Sequence, residues 1–294
     1  MREIVAIVAW LCTGGLIMSA ALRTGTGAWA AFRSRPVLFV RALVAVWVVI
    51  PLLAMAIARA FSLTGETRGA LILLSISPGI PVLLSAARRR GPSALTDGLV
   101  FLALVALTAP LFLPIWAQIL KAVYSAQLVA KPLDLAMTLL PTIYIPMALG
   151  IVIHKQWPRR ARTFAKLLEI AANVGTVFAV ILLLRIGFPV LRTLQPALLF
   201  AAPLLFLACG YAGWLAAAQH RDDRKLFALA AALGNPALGL ALIATTYPTE
   251  RAAAVAAAIL IVRTLCLPVL LVLGATPPRW FYRASRAPVR HRYP

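Results

Sequence analysis

The chain is poor in acid. Of its 294 residues only 8 are Asp or Glu, against 29 Lys and Arg, and 3 are histidine. It is equally poor in cysteine, with Cys12, Cys209 and Cys266 far apart and each inside an apolar run. Such isolated thiols make neither a CxxC pair nor a disulfide framework. His154, His220 and His291 show no metal-ligand spacing, so neither a metal nor another cofactor is implied. A phosphate loop is missing, as is any nucleophile beside a base at depth, and the reading therefore sets an enzyme aside.

What the chain has in abundance is apolar sequence. Hydrophobic residues make up 62% of it and the mean hydropathy is +0.92, where ordinary globular chains are about half apolar. A net charge of +21 suggests nucleic acid at first sight. The basic residues, however, sit in short clusters between long apolar runs, which is the pattern of membrane topology and not of a nucleic-acid groove. The implied partner is the lipid bilayer, with no nucleic acid, and no oligomeric state is fixed.

A span needs about 20 apolar residues to cross roughly 30 Å of hydrocarbon. Nine stretches qualify: Ile4–Leu22, Pro36–Ala58, Gly69–Ala87, Ala94–Leu120, Leu133–Ile153, Ala165–Phe188, Leu194–Gln219, Leu226–Tyr247 and Ala252–Gly274. Connections are short, so residues 1–275 read as one transmembrane domain and residues 276–294 as a basic tail. The first stretch is read as a span and not as a signal peptide, because its basic flank is only Arg2, offset by Glu3, and its apolar run is long. With the N-terminus outside, 20 of the basic residues fall on the cytoplasmic side and 8 on the other, with Arg263 inside the last span. Lys and Arg in short loops favour the cytoplasmic side, so the expectation is a multi-pass cell-membrane protein, of the bacterial inner-membrane kind, with its C-terminus inside. The tail, with Trp280, Phe281 and Tyr282 near its start, reads as leaning on anionic headgroups.

Two spans are interrupted near their middles. The third carries Ser77-Pro78-Gly79-Ile80-Pro81 and the eighth carries Gly234-Asn235-Pro236. Proline removes a helical N–H and clashes with the preceding turn, and glycine permits non-helical angles. Asn235 before Pro236 suits an N-cap followed by proline at the first helical position. The two spans run antiparallel, and each precedes a span containing a proline, Pro114 or Pro268, about 32 residues after Pro81 or Pro236. Matched, antiparallel breaks are what an inverted repeat leaves in sequence, and they point to a transporter's binding site. The fold expected is an all-α polytopic membrane protein of about nine helices, with inverted repeats and crossed discontinuous helices at the third and eighth spans.

Three stretches carry a likeness to a known family. They are Gly14-Gly15-Leu16-Ile17-Met18-Ser19, the run Pro36 to Ala58 with Pro51-Leu52-Leu53-Ala54, and Ser77-Pro78-Gly79 combined with Gly234-Asn235-Pro236-Ala237-Leu238-Gly239-Leu240-Ala241. In these the chain resembles the bile acid:sodium symporter family, in a nine-span form lacking the first helix of ten-span members. The resemblance implies a core domain holding the two crossed helices, a panel domain moving against it, and secondary transport. It also implies where sodium ligands would fall: on Ala230, Gly234, Leu83, Leu84, Ala103–Ala106 and near Val46. Apolar residues supply no oxygen to a hard cation, so coupling to sodium through those sites is not expected.

Polar residues at depth complete the candidate site. Arg263 lies midway along the last span, where an arginine costs about 2.5–3.5 kcal/mol on insertion scales and usually faces a cavity or partner. Either it supplies the fixed positive charge that bound sodium would give elsewhere, or it snorkels or bonds to broken-helix carbonyls structurally. Glu169 and Asn173 lie one turn apart on the sixth span and line a polar face with Lys166, or serve the interface as a cap. Asp97 is expected to pair with Arg88–Arg90 or to cap its helix. Trp10, Trp29, Trp47, Trp116, Trp214, Tyr124 and Tyr247 read mostly as an interfacial belt. The substrate-binding set is thus Ser77, Gly79, Gly234, Asn235, Arg263 and Asn173, with Pro78, Pro81 and Pro236 as helix breaks. The function expected is transport of a small organic anion without the usual sodium sites. The alternative is a non-transporting membrane protein that senses or binds a lipid-like or anionic ligand.

Overall fold

A computed structural model of the protein describes residues 2–25, 27–77, 82–124, 143–187, 194–220, 223–247 and 249–273. Regular structure among the described residues is entirely helical. The helices are α1 (Arg2–Thr24), α2 (Gly27–Ser34), α3 (Pro36–Ala60), α4 (Gly65–Ser75), α5 (Val82–Arg88) and α6 (Pro92–Tyr124). They continue with α7 (Ile145–Gln156), α8 (Pro158–Gly187), α9 (Leu198–Ala216), α10 (Arg224–Leu233), α11 (Pro236–Thr246) and α12 (Glu250–Leu273). Four of them start on a proline, Pro36, Pro92, Pro158 and Pro236. At the first helical position the missing N–H has no intrahelical partner to lose, and the fixed φ is already helical.

Four helices are long and apolar enough to cross a membrane: Pro36–Ala60, Pro92–Tyr124, Leu198–Ala216 and the Arg251–Val269 part of α12. At 1.5 Å per residue, the 33-residue α6 is about 50 Å long, well beyond a hydrocarbon core of roughly 30 Å. The large apolar side chains left exposed, such as Leu107 and Leu111 on α6, Val174 and Val177 on α8 and Phe200 on α9, face outward. In a bilayer that outer surface is solvated by lipid, so its exposure is not the liability it would be in water.

The helix ends gather at two opposite faces. At one, His154 Nδ1 lies 2.7 Å from the Leu22 carbonyl, and Arg35 donates to Asp97 and Asp223, both at 2.6 Å. At the other, Gln195 donates to Thr64 at 2.7 Å, Thr249 donates to Glu66 at 2.7 Å, and the Arg68 guanidinium stacks over the Tyr124 ring. Asp97 is fully buried, and its partner is Arg35 rather than the Arg88–Arg90 cluster expected from proximity in sequence. Arg35 sits at the α2–α3 junction, so one guanidinium ties that junction to α6 and to the start of α10. The short α2, which packs against α6, has no counterpart among the predicted spans.

Packing is closest where small residues meet. A Cβ at Gly150 of α7 would lie 2.6 Å from Ala21 Cβ and 2.8 Å from the Met18 carbonyl of α1. Van der Waals packing drives helix association in lipid, and small residues let backbones approach. The most extensive contacts of α1 are with α8 and α7, while α9 packs on α10.

Trp47 and Trp116 are not belt residues. Both are buried, and they bond to each other's helices. Pro51 has no N–H for the Trp47 carbonyl, and α3 widens into a π turn at Ala45–Val49. The Trp116 indole of α6 donates to that orphaned carbonyl at 2.8 Å, while the Trp47 indole donates to Thr108 at 2.8 Å and stacks on Phe112. Replacing Trp116 by Phe keeps an aromatic ring but leaves the carbonyl without its donor. The expected loss is about 1–3 kcal/mol, the desolvation cost of an unsatisfied buried group, read as a lower midpoint of thermal unfolding in detergent. An unchanged midpoint would mean that the bond contributes nothing.

Candidate functional site

The last carbonyls of a helix have no intrahelical donor, and a helix end inside a membrane protein must find other partners. Helix α4 ends at Ser75, and side chains donate to the carbonyls of Ile72, Leu73 and Leu74. Ser75 Oγ donates to the Ile72 carbonyl at 2.6 Å, Ser77 Oγ donates to Leu73 at 2.8 Å, and Arg263 Nη1 donates to Leu74 at 3.4 Å. Ser77 is non-helical and fully buried. Its own carbonyl accepts the backbone N–H of Asn235 at 2.5 Å.

Asn235 belongs to the junction of α10 and α11. Helix α10 stops at Leu233, because Gly234 turns the chain at φ 57° and ψ 174°. Asn235 then caps α11: its Oδ1 accepts the Leu238 N–H at 3.2 Å, and Pro236 takes the first helical position. This is the local structure that Gly-Asn-Pro specifies. Gly239, one turn into α11, faces Leu74 and Ser77; a Cβ there would lie 2.5 Å from Leu74 Cδ2 and 3.4 Å from Ser77 Oγ.

Arg263 reaches this junction from α12. It is 4% exposed, and among the described residues no carboxylate pairs with it. Its Nη1 lies 3.2 Å from where a Cβ of Gly234 would be, beside the Leu74 carbonyl. The guanidinium is therefore held where the C-terminal ends of α4 and α10 meet. Helix C-termini carry partial negative charge and favour cations. The arginine offsets those ends, which present about half a unit of negative charge each. The site is buried, and the N-terminus of α11, which carries partial positive charge, lies beside the guanidinium.

The structure thus brings together Ser77, Gly234, Asn235 and Arg263. Asn173 is half-buried on α8, the helix that packs against α12. Gly79, Pro78 and Pro81 lie outside the described residues, as does the tail from residue 274 onward. Sequence reasoning missed the Leu74 carbonyl and Gly239, since neither carries a chemical signal of its own. It also missed Cys209 of α9, a buried thiol within electrostatic reach of Arg263. Of the positions on which the resemblance places sodium ligands, Val46, Leu83, Leu84, Val105, Ala106 and Ala230 are apolar and buried, Ala103 and Leu104 are apolar and half-buried, and Gly234 belongs to the junction.

The apolar helices and their lipid-facing surface define a multi-pass membrane protein. The family model described as the sodium bile acid symporter family matches residues 16–193. The chain belongs to that family, and so to a family of secondary transporters. A comparison with curated proteins gave no match. The matched residues include the Ser77 break and end before Gly234-Asn235-Pro236 and Arg263.

Proposed function

We propose that this protein carries a small organic anion across a cell membrane by alternating access, with Arg263 serving as the built-in cation at the substrate site. Nine spans with the N-terminus outside form two inverted repeats, and the α4–α5 and α10–α11 pairs are the crossed discontinuous helices. The core holds the crossing, and a panel that includes α1, α7 and α8 moves against it. The basic end, with Arg23, Arg35 and Arg88, faces the cytoplasm, as the positive-inside rule requires.

The observation that carries this reading is the position of Arg263. Its guanidinium sits at the two helix C-termini, between the Leu74 carbonyl and Gly234, with no carboxylate beside it among the described residues. Elsewhere, unwound carbonyls and half-helix C-termini coordinate a transported cation, while half-helix N-termini face the anionic group of the substrate. Here the carbonyl end is filled by the chain's own cation. The N-terminal end of α11, capped by Asn235, lies beside it and adds its positive dipole. The two together favour an anion, and the apolar residues at the sodium-ligand positions leave a transported sodium without oxygens.

The test is uptake into proteoliposomes across a panel of organic carboxylates and sulfonates, run in sodium and in a sodium-free medium. Flux of at least one anion, equal in both media, is the expected outcome. Saturable anion binding with no flux in either medium would instead identify a ligand-binding membrane protein that does not transport.

A further inference from the structure

A second cluster of charges lies at the basic end, away from Arg263. Glu169 of α8 is buried, and both of its oxygens are engaged by arginines from other helices. Arg23, in the last turn of α1, donates from Nη2 to Oε2 at 3.2 Å, and Arg88, in the last turn of α5, donates from Nε to Oε1 at 2.6 Å. The three charges line a narrow cleft, with room for about one water molecule while Glu169 holds both arginines, whose apolar walls are Leu16, Leu84 and Leu95. The cleft lies between the α1–α8 pair, whose two helices pack extensively on each other, and α5 and α6, which α1 also contacts. Glu169 is therefore the group through which α5 is tied by charge to the α1–α8 pair.

Two features set this apart from a closed structural ion pair. The cluster holds two guanidiniums and one carboxylate, so it is one positive charge in excess. The donors are also not used up, for Arg23 Nε is buried and has no partner among the described residues, while the Arg88 side chain is 45% exposed. Guanidinium forks match a planar carboxylate or a sulfonate by paired hydrogen bonds, and here two forks converge on one cleft. Glu169 occupies the position that an external anion's oxygens would take.

We infer that Arg23 and Arg88 form an anion site for organic carboxylates and sulfonates, and that Glu169 is its resident, displaceable occupant. When an anion takes the two guanidiniums, Glu169 is released and the charge link between α5 and the α1–α8 pair opens. In its absence Glu169 closes that link. The site is distinct from the Arg263 junction in its residues and its helices, and it goes beyond the transport reading, since it is defined by binding and not by flux.

The experiment titrates the purified full-length chain in nanodiscs with benzoate and with benzenesulfonate, using benzyltrimethylammonium as a cationic control. Binding is read by calorimetry and by the rise in unfolding temperature that ligation of the folded state produces. All variants are made in the Arg263→Met background, so that the junction site does not contribute. Glu169→Gln removes the competing charge and is expected to lower the half-saturating benzoate concentration about 10-fold. Arg88→Gln, which leaves Arg23 and Glu169 to pair, is expected to raise it by a similar factor. If Glu169→Gln binds benzoate no better than its parent, or Arg88→Gln binds it no worse, the inference is overturned. An equal response to the cation would overturn it too. Absence of flux in the transport assay would not bear on this result, so the two readings fail separately.

Discussion

Arg263→Met is expected to lower anion uptake roughly 10- to 150-fold while leaving the fold intact. The lower and upper figures correspond to losing a hydrogen bond to a charged group of about 1.5–3 kcal/mol. Stability is expected to change little, because two effects oppose each other. The Leu74 carbonyl loses its donor, at a cost of about 1–3 kcal/mol. Against that, a buried cation with no carboxylate beside it among the described residues is replaced by an apolar side chain of similar length, and a central arginine costs about 2.5–3.5 kcal/mol on insertion scales. Arg263→Lys should fall between Met and wild type in uptake, because it keeps a point charge but not the planar fork. The measurement pairs initial uptake rates with unfolding in detergent. A Met variant that transports normally, or one that no longer folds, would make Arg263 a structural residue holding the end of α4.

Gly234→Ala is expected to do the reverse, failing first in stability. At φ 57° and ψ 174° the residue occupies backbone space that is essentially reserved for glycine, and a side chain there costs about 1–3 kcal/mol. The surroundings add to this. An alanine Cβ would sit 3.1 Å from the Ser77 carbonyl, 3.2 Å from the Leu74 carbonyl and 3.2 Å from Arg263 Nη1. Two of these neighbours are backbone at the end of α4, which has no freedom to retreat without breaking the Asn235 N–H bond to Ser77. We expect a loss of more than about 2 kcal/mol and, with it, loss of transport. Gly27→Ala is the matched control. It opens α2 with nothing within 4 Å of the added carbon, and should stay within about 0.5 kcal/mol of wild type. If both substitutions behaved alike, the special backbone at Gly234 would have no energetic meaning.

Much of this architecture is legible in the chain itself, where the signal is local. Gly234, Asn235 and Pro236 each constrain their own backbone, so the stop of α10, the cap and the restart of α11 follow from three adjacent letters. The apolar runs likewise mark the long helices α3, α6, α9 and α12 to within a few residues. What is not legible is which distant group answers an exposed one. Pro51 announces that a carbonyl on α3 lacks a donor, but nothing near it in sequence says that Trp116 provides one, and an aromatic-belt reading was the natural default for both tryptophans. Asp97 pairs with Arg35 across 62 positions instead of with the arginines a few residues before it. Glu169 lies 146 positions from Arg23, one of its two partners. The junction itself was half visible. Ser77, Asn235 and Arg263 could be singled out, but the meeting of Arg263 with the Leu74 carbonyl is a matter of helix packing. Of the two roles that the sequence leaves as alternatives, the contact shows the structural one: the guanidinium bonds a broken-helix carbonyl.

The central claim is that Arg263 stands where other transporters place a transported cation. It is tested most directly by measuring initial uptake of a transported organic anion into proteoliposomes while external sodium is replaced stepwise by choline at constant ionic strength. The account predicts a rate independent of sodium for the wild type. A saturable stimulation of wild-type uptake by sodium would contradict it.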